Sequence, residues 1–178
     1  MKKYQIIYAD PPWPYSFSHT RTMQQDDYPT MRLEDIKALP IKELADDSCV
    51  LFLWVNNPLL PEAFGVIKAW GFSYKTIGFV WVKTNAHSMG LFWGMGQYTR
   101  SNPELCLLST KGKTLSVVDH SVHSVLMSEI QNHSRKPVIT RELITRLFGD
   151  LPRIELFARR KVEGWDCWGN EVESDIEL

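Results

Sequence analysis

Two rhythms of apolar residues run along this chain. Unbroken apolar or alternating runs at residues 4–9, 49–55, 76–82, 104–110 and 153–158 predict strands. The run at 49–55 has no polar face, as expected of a strand covered on both sides in a parallel sheet. Between them, helical spacing predicts helices at 31–39, with Thr30 as cap and Pro40 as stop, and at 61–70, with Gly71 just past the end. A third helix is predicted at 137–148: Leu143, Ile144, Leu147 and Phe148 share one face and Gly149 ends it. Strands and helices in alternation imply an α/β sheet wound on both sides. Two long stretches, 14–29 and 85–103, carry neither rhythm. Loops of that length in a compact domain are functional or mobile, and both read as lids around a substrate pocket. The alternative for each is a surface loop ordered by its own aromatic residues.

Composition narrows the class. The 178 residues fit one domain, 1–178, and 44% apolar content is enough for a real core. No stretch approaches the ~20 apolar residues needed to cross a bilayer, and the apolar run after Met1-Lys2-Lys3 stops at Asp10, too short for a signal peptide. Cys49, Cys106 and Cys167 read as reduced core thiols, which together with those absences implies a cytoplasmic protein without membrane contact. Twenty basic against 21 acidic residues leave a net charge of −1, so any affinity for nucleic acid must be local. Candidate patches are Lys111 with Lys113, Arg135 with Lys136, and Arg159-Arg160-Lys161. His120, His123 and His133 lack the companion ligands of a zinc set, so no metal is expected.

The most informative residues are Asp10-Pro11-Pro12-Trp13, directly after the first predicted strand. Two prolines fix φ and donate no N–H, which predicts a stiff turn with free carbonyls. A carboxylate and carbonyls accept hydrogen bonds from an exocyclic amine, and an indole stacks on a ring. The set suits a flat heterocycle bearing NH₂, such as adenine or cytosine. In open α/β sheets ligands bind beyond the carboxyl ends of the strands, where this turn falls. The plain alternative is a proline-rich turn that ends a strand, with Asp10 as a cap.

Asp10-Pro11-Pro12-Trp13 resembles the signature of the adenine-N6 methyltransferase family named after the catalytic subunit of the eukaryotic mRNA adenosine methyltransferase. Leu51-Phe52-Leu53-Trp54-Val55 and Trp81-Val82-Lys83-Thr84-Asn85 resemble its next strands. His133-Ser134-Arg135-Lys136-Pro137, Ile154-Glu155-Leu156-Phe157-Ala158-Arg159 and Trp168-Gly169-Asn170-Glu171 resemble its cofactor half. The ordered likeness spans nearly the whole chain. It implies a Rossmann-like methyltransferase fold, mostly parallel and circularly permuted, with the catalytic turn first and the cofactor strand last.

The resemblance also implies roles. The donor would be S-adenosylmethionine. Asp10 and the carbonyl of Pro11 would receive the target amine, Pro12 would complete the catalytic turn, Trp13 would stack near the base, and Tyr28, in Tyr28-Pro29-Thr30-Met31, would contact its other side. A base must leave its stack for this chemistry. Lys136, flanked by Ser134 and Arg135, would pair with the donor carboxylate, aided by the helix that follows, and Asp10 with its ammonium. Glu155, Leu156, Phe157 and Arg159 would form the cofactor strand and its end, with Phe157 against the donor adenine; Asn170 and Glu171 would bond the ribose hydroxyls. Arg100, Ser101, Asn102 and Glu104 would help position donor or target, Arg100 on the substrate side. The Gly-rich first turn common in nucleotide-binding folds is missing: Ala158-Arg159-Arg160-Lys161 stands in its place. DNA is favoured over RNA as the substrate, single-stranded or with the base flipped, and a homodimer is plausible. Rivals are RNA adenine-N6 methylation, cytosine-N4 methylation, and a non-catalytic homologue that scaffolds an active subunit; the last would be expected to have lost Asp10 or Lys136.

Overall fold

Asp10 follows a strand in the middle of a sheet. The structure is a computed structural model and describes residues 2–14, 30–86, 90–94, 96, 98–130 and 135–178. Its strands are β1 (Tyr4–Ala9), β2 (Ala45–Val55), β3 (Ser73–Thr84), β4 (Pro103–Lys111), β5 (Val125–Glu129), β6 (Arg153–Leu156) and β7 (Asp166–Trp168). Its helices are α1 (Leu33–Ala38), α2 (Ile41–Leu44), α3 (Leu60–Ala69) and α4 (Ile139–Phe148). Among the described residues the sheet order is β5-β3-β4-β2-β1-β6-β7. Its partners are parallel everywhere except along β4, which runs against both β2 and β3. The carboxyl ends of β1, β2, β3, β5, β6 and β7 therefore share one rim with the amino end of β4.

The apolar run in β2 explains how both faces are covered. Cys49, Leu51, Leu53 and Val55 face a core shared with Ile36 of α1, Ile41 and Leu44 of α2, and Ala63, Val66 and Ile67 of α3. Val50, Phe52 and Trp54 face the opposite core, with Leu143, Ile144 and Phe148 of α4. Trp70 donates from Nε1 to the Ile36 carbonyl at 2.9 Å, tying the end of α3 to α1. Buried side chains of this size stabilise by about 1.5–3 kcal/mol each, so the two cores fix the rim that carries Asp10.

Several expectations shift. The helix expected at 31–39 starts at Leu33 and is capped by Arg32 without a side-chain hydrogen bond, so Thr30 is not the cap; a second short helix follows Pro40. β2 reaches back to Ala45, where Tyr4 pairs with it, although Asp46, Asp47 and Ser48 broke the apolar pattern. β5 and β7 were not expected. β5 is an edge strand with Val125 and Met127 exposed, and three residues of β7 are too few to show a period. The three cysteines are buried and free, as expected. No described helix is long and apolar enough to cross a membrane.

Candidate active site

Charge alternates across the rim. β1 delivers Asp10, β4 begins with Pro103 and Glu104, and β3 carries Lys83 near its end. Lys136 Nζ lies 2.9 Å from Asp10 Oδ2 and 3.1 Å from Glu104 Oε2. Lys83 donates to the other Glu104 oxygen, Oε1. The order is therefore Asp10, Lys136, Glu104, Lys83, with two charges of each sign in a largely buried row. Both ammonium groups also approach indole faces: Lys136 is 5.8 Å from the Trp54 ring and Lys83 5.0 Å from the Trp81 ring. At ~3 Å each opposed pair is worth about 5 kcal/mol of attraction in an effective dielectric near 20. Desolvation offsets several kcal/mol per ion, so the row is stabilised only while every member is present.

These neighbours set the protonation states. Burial pushes the Asp10 carboxyl above the usual range, only partly opposed by the Lys136 charge. Burial acts on Glu104 in the same sense, but Lys136 and Lys83 outweigh it and hold that carboxyl below its ordinary value. Burial alone would lower Lys136; the carboxylates of Asp10 and Glu104 raise it instead. Asp10 is thus an acid whose ionised form is costly, the setting in which a cationic partner is most welcome.

Beside Asp10 and Lys136 opens a cleft whose wall includes Tyr8, Glu155 and Phe157, with guanidinium groups from Arg135, Arg141, Arg159 and Arg160. More basic than acidic side chains line it, which suits an anionic ligand. Glu155 lies on its floor and is forked by Arg141 of α4, with Nε to Oε2 at 2.6 Å and a second bond from the terminal nitrogen to Oε1. Phe157, the first residue after β6, has φ 61°, a left-handed conformation uncommon for a residue with a side chain. Strain of this kind, worth on the order of 1–3 kcal/mol, concentrates at ligand sites. Phe157 packs edge-on against Trp168, with centroids 5.3 Å apart. A glycine does serve this turn, but from just past β7: a Cβ on Gly169 would lie 2.4 Å from the Ala158 carbonyl oxygen and 2.7 Å from the Ala158 nitrogen.

The structure redistributes the residues expected from the sequence. Asp10, Lys136, Glu155, Phe157 and Arg159 meet at the cleft. Trp13 does not present an open stacking face: it is 5% exposed, lies in the core, and donates from Nε1 to the Trp54 carbonyl at 2.9 Å. Its measurable effect is to anchor the turn. The proline carbonyls are not free either. That of Pro11 accepts the Trp13 N–H and that of Pro12 the Met31 N–H, both at 2.8 Å. Proline cannot donate, but its neighbours can, and each carbonyl keeps one further lone pair. Leu156 is fully buried in the core on the α1–α3 side, so its side chain is outside the cleft. Alternation along β6 requires this once Glu155 faces α4. Glu171 reaches Arg159 at 3.7 Å, and Asn170 beside it is exposed. Arg100 stands on the β3–β4 connection, with its guanidinium 4.6 Å from the Trp93 ring and away from the cleft wall. Tyr28, Ser134 and most of the first lid lie outside the described residues.

Lys83, Tyr8 and Arg141 were given no role from the sequence, and Arg160 stood only as part of a candidate basic patch. Arg141 left a signal: it stands three residues before Ile144 and seven before Phe148, a cation on the apolar stripe of α4. Lys83 left none, because its role depends on β3 and β4 pairing so that Trp81 opposes Glu104.

Comparison with known proteins adds an independent line. The profile of the MT-A70 family matches residues 4–171. The chain is 34% identical to the type II methyltransferase M.MunI of a Mycoplasma species, over 99% of this chain and 82% of that protein. It is 28% identical to the N(6)-adenosine-methyltransferase MT-A70-like protein of Drosophila melanogaster, over 96% of this chain and 27% of that protein. It is 30% identical to the N6-adenosine-methyltransferase non-catalytic subunit MTB of Arabidopsis thaliana, over 72% of this chain and 17% of that one. The chain thus spans most of the Mycoplasma protein and a minor part of the other two.

Proposed function

The chain belongs to the MT-A70 family, and from that premise we propose that it transfers a methyl group from S-adenosylmethionine to the N6 amino group of adenine in nucleic acid, with DNA as the preferred substrate. One observation carries the reading: a partly buried carboxylate, Asp10, stands at the carboxyl end of the interior strand β1 and is bridged by Lys136 at 2.9 Å.

The donor set fits a molecule with a carboxylate, an ammonium, a ribose and an aromatic base. Lys136 suits the carboxylate, Asp10 the ammonium, Glu171 and Asn170 the ribose hydroxyls, and the Phe157 ring the base. When bound, the cofactor supplies a methyl group activated on a sulfonium. The protein's own task is alignment, which contributes on the order of 7–11 kcal/mol in well-oriented systems. Asp10 accepts a hydrogen bond from the N6 amine, as does the remaining lone pair of the Pro11 carbonyl. Two acceptors localise the nitrogen lone pair, and the carboxylate then stabilises the positive charge that develops there. Lys136 has a second partner, so it can yield Asp10 to a cation while Glu104 keeps hold of it. DNA is the preferred substrate in this reading because the similarity to the Mycoplasma type II methyltransferase covers 99% of this chain and 82% of that protein.

A non-catalytic role has one observation in its favour, the 30% identity to the Arabidopsis subunit. Intact Asp10 and Lys136, in contact with each other, weigh against it. Labelled methyl transfer to matched DNA and RNA oligonucleotides, single- and double-stranded, with mass spectrometry of the product nucleosides, tests the proposal. N6-methyladenine supports it; N4-methylcytosine, or no modified base while the donor binds, refutes it.

A further inference from the structure

Trp93 breaks the pattern set by the other tryptophans. Trp13, Trp54, Trp70, Trp81 and Trp165 are buried, whereas Trp93 is 71% exposed. Tyr98, on the same β3–β4 connection, is 93% exposed. One face of the Trp93 indole is covered by the Arg100 guanidinium at 4.6 Å, a cation–π pair that leaves the rest of the ring to solvent.

The rings ride on a pinned hairpin. Gly94 pairs with Ser101, and a Cβ at Gly94 would come within 1.9 Å of the Ser101 carbonyl oxygen, so the two strands of the connection touch as only glycine permits. The Phe92 N–H donates to the Lys83 carbonyl at 2.9 Å. Asn102 Nδ2 donates to both the Lys83 carbonyl, at 2.7 Å, and the Phe92 carbonyl, at 3.0 Å. Trp93 is therefore next to a carbonyl held by Asn102, two residues before the Glu104 that holds Lys136. The hairpin rises from the rim that carries Asp10.

We propose that Trp93 and Arg100 form a platform for the nucleotide next to the target adenine, on a single-stranded or locally opened strand: the indole stacks on the base and the guanidinium contacts its phosphate. This rests on the function proposed above and names where the rest of the strand lies. Every base has a π-face, so aromatic platforms bind single strands without strict sequence preference. Guanidinium matches phosphate geometry. With a net charge of −1 the chain has no general attraction for a polyanion, and an aromatic–cation pair beside the rim supplies a local one.

The test uses the full chain and a fluorescently labelled single-stranded DNA 12-mer containing adenine. Binding, donor affinity, steady-state turnover and oligomeric state by sedimentation are measured for wild type, Trp93→Ala, Trp93→Phe and Arg100→Ala. Trp93→Ala should weaken oligonucleotide binding about tenfold, the scale of one lost stack, while Trp93→Phe retains most of it. Arg100→Ala should reduce the salt slope by about 0.7, one phosphate contact on a single strand. KM for the oligonucleotide should rise, with donor affinity and saturated turnover unchanged. Unchanged affinity in Trp93→Ala overturns the platform, as does a wild type that binds no oligonucleotide. Loss of affinity only in step with dissociation of a dimer overturns it in favour of an interface between copies. Binding needs no turnover: a wild type that methylates nothing yet loses affinity on Trp93→Ala refutes the proposed reaction and retains the platform.

Discussion

Lys136 bridges to Asp10 at 2.9 Å while its ammonium also reaches Glu104 at 3.1 Å, so one cation serves two carboxylates of unequal standing. Glu104 is neutralised from both sides, by Lys136 and Lys83. Asp10 shares Lys136 with Glu104 and bears more of the cost of burial. In the proposed reaction, the acid that meets substrate is the one whose charge is least satisfied.

A pH profile should reveal this inequality. In the proposed reaction Asp10 must be ionised, and burial raises its carboxyl, so the acid limb of kcat/KM should fall above the ordinary aspartate value. The same shift destabilises the fold as pH rises through the interval between ordinary and elevated values, because the native state binds more protons there. Glu104 runs the other way: its contribution is present above the ordinary glutamate value and lost as pH falls through its depressed one. Lys136→Met removes the charge that opposes burial of Asp10, so its acid limb should move to still higher pH. A limb unmoved by that change would mean Asp10 does not control it.

Lys83 is expected to act through Glu104. In Lys83→Met the Glu104 carboxyl loses one counter-charge and holds Lys136 less firmly. Donor KM should rise by roughly three- to tenfold, a change of about 1 kcal/mol, with Lys83→Arg close to wild type. Isothermal titration with the donor and initial rates measure it; equal donor affinity in all three proteins would contradict the account.

Glu155 tests the floor of the cleft. Glu155→Ala leaves the Arg141 guanidinium without its fork partner in a buried position, which costs about 3–5 kcal/mol. Urea unfolding should register a loss of this size. A loss below about 1 kcal/mol would mean the pair is as weak as one on the surface.

Gly169→Ala should disturb the turn proposed to hold the donor without touching the charged row from Asp10 to Lys83. Its Cβ would meet the Ala158 backbone at 2.4 Å, forcing apart the end of β6 and β7. Overpacking of this kind costs about 1–3 kcal/mol. Donor affinity should fall at least fivefold, with the pH dependence of kcat unchanged; unaltered donor affinity would separate this turn from donor binding.

Most of the scaffold was legible because two physical signals are local. Unbroken apolar runs marked β1, β2 and β4, and the stripe from Leu143 to Phe148 marked α4, since burial on both faces of a sheet leaves no room for polar residues. β5 and β7 escaped because an exposed edge and a three-residue strand carry no such signal. Motif and order singled out Asp10, Lys136 and Phe157, which the structure brings to one cleft, and their roles stand as proposed. The carbonyls of Pro11 and Pro12 were misjudged because their donors, Trp13 and Met31, are set by the path of the turn. Trp13 was expected at an open face, yet the Trp54 carbonyl claims its indole from a strand 41 residues away. Lys83 could be placed only through β-sheet register, which a single sequence does not display.

The central claim is that the Asp10 carboxylate receives the target amine. Asp10→Asn preserves size while removing the charge, so the most direct measurement is single-turnover methyl transfer by this variant beside wild type, with donor binding and thermal unfolding measured in parallel. The account predicts a folded protein that binds donor within about tenfold of wild type and forms N6-methyladenine at least ~10³-fold more slowly. Turnover within tenfold of wild type would contradict it.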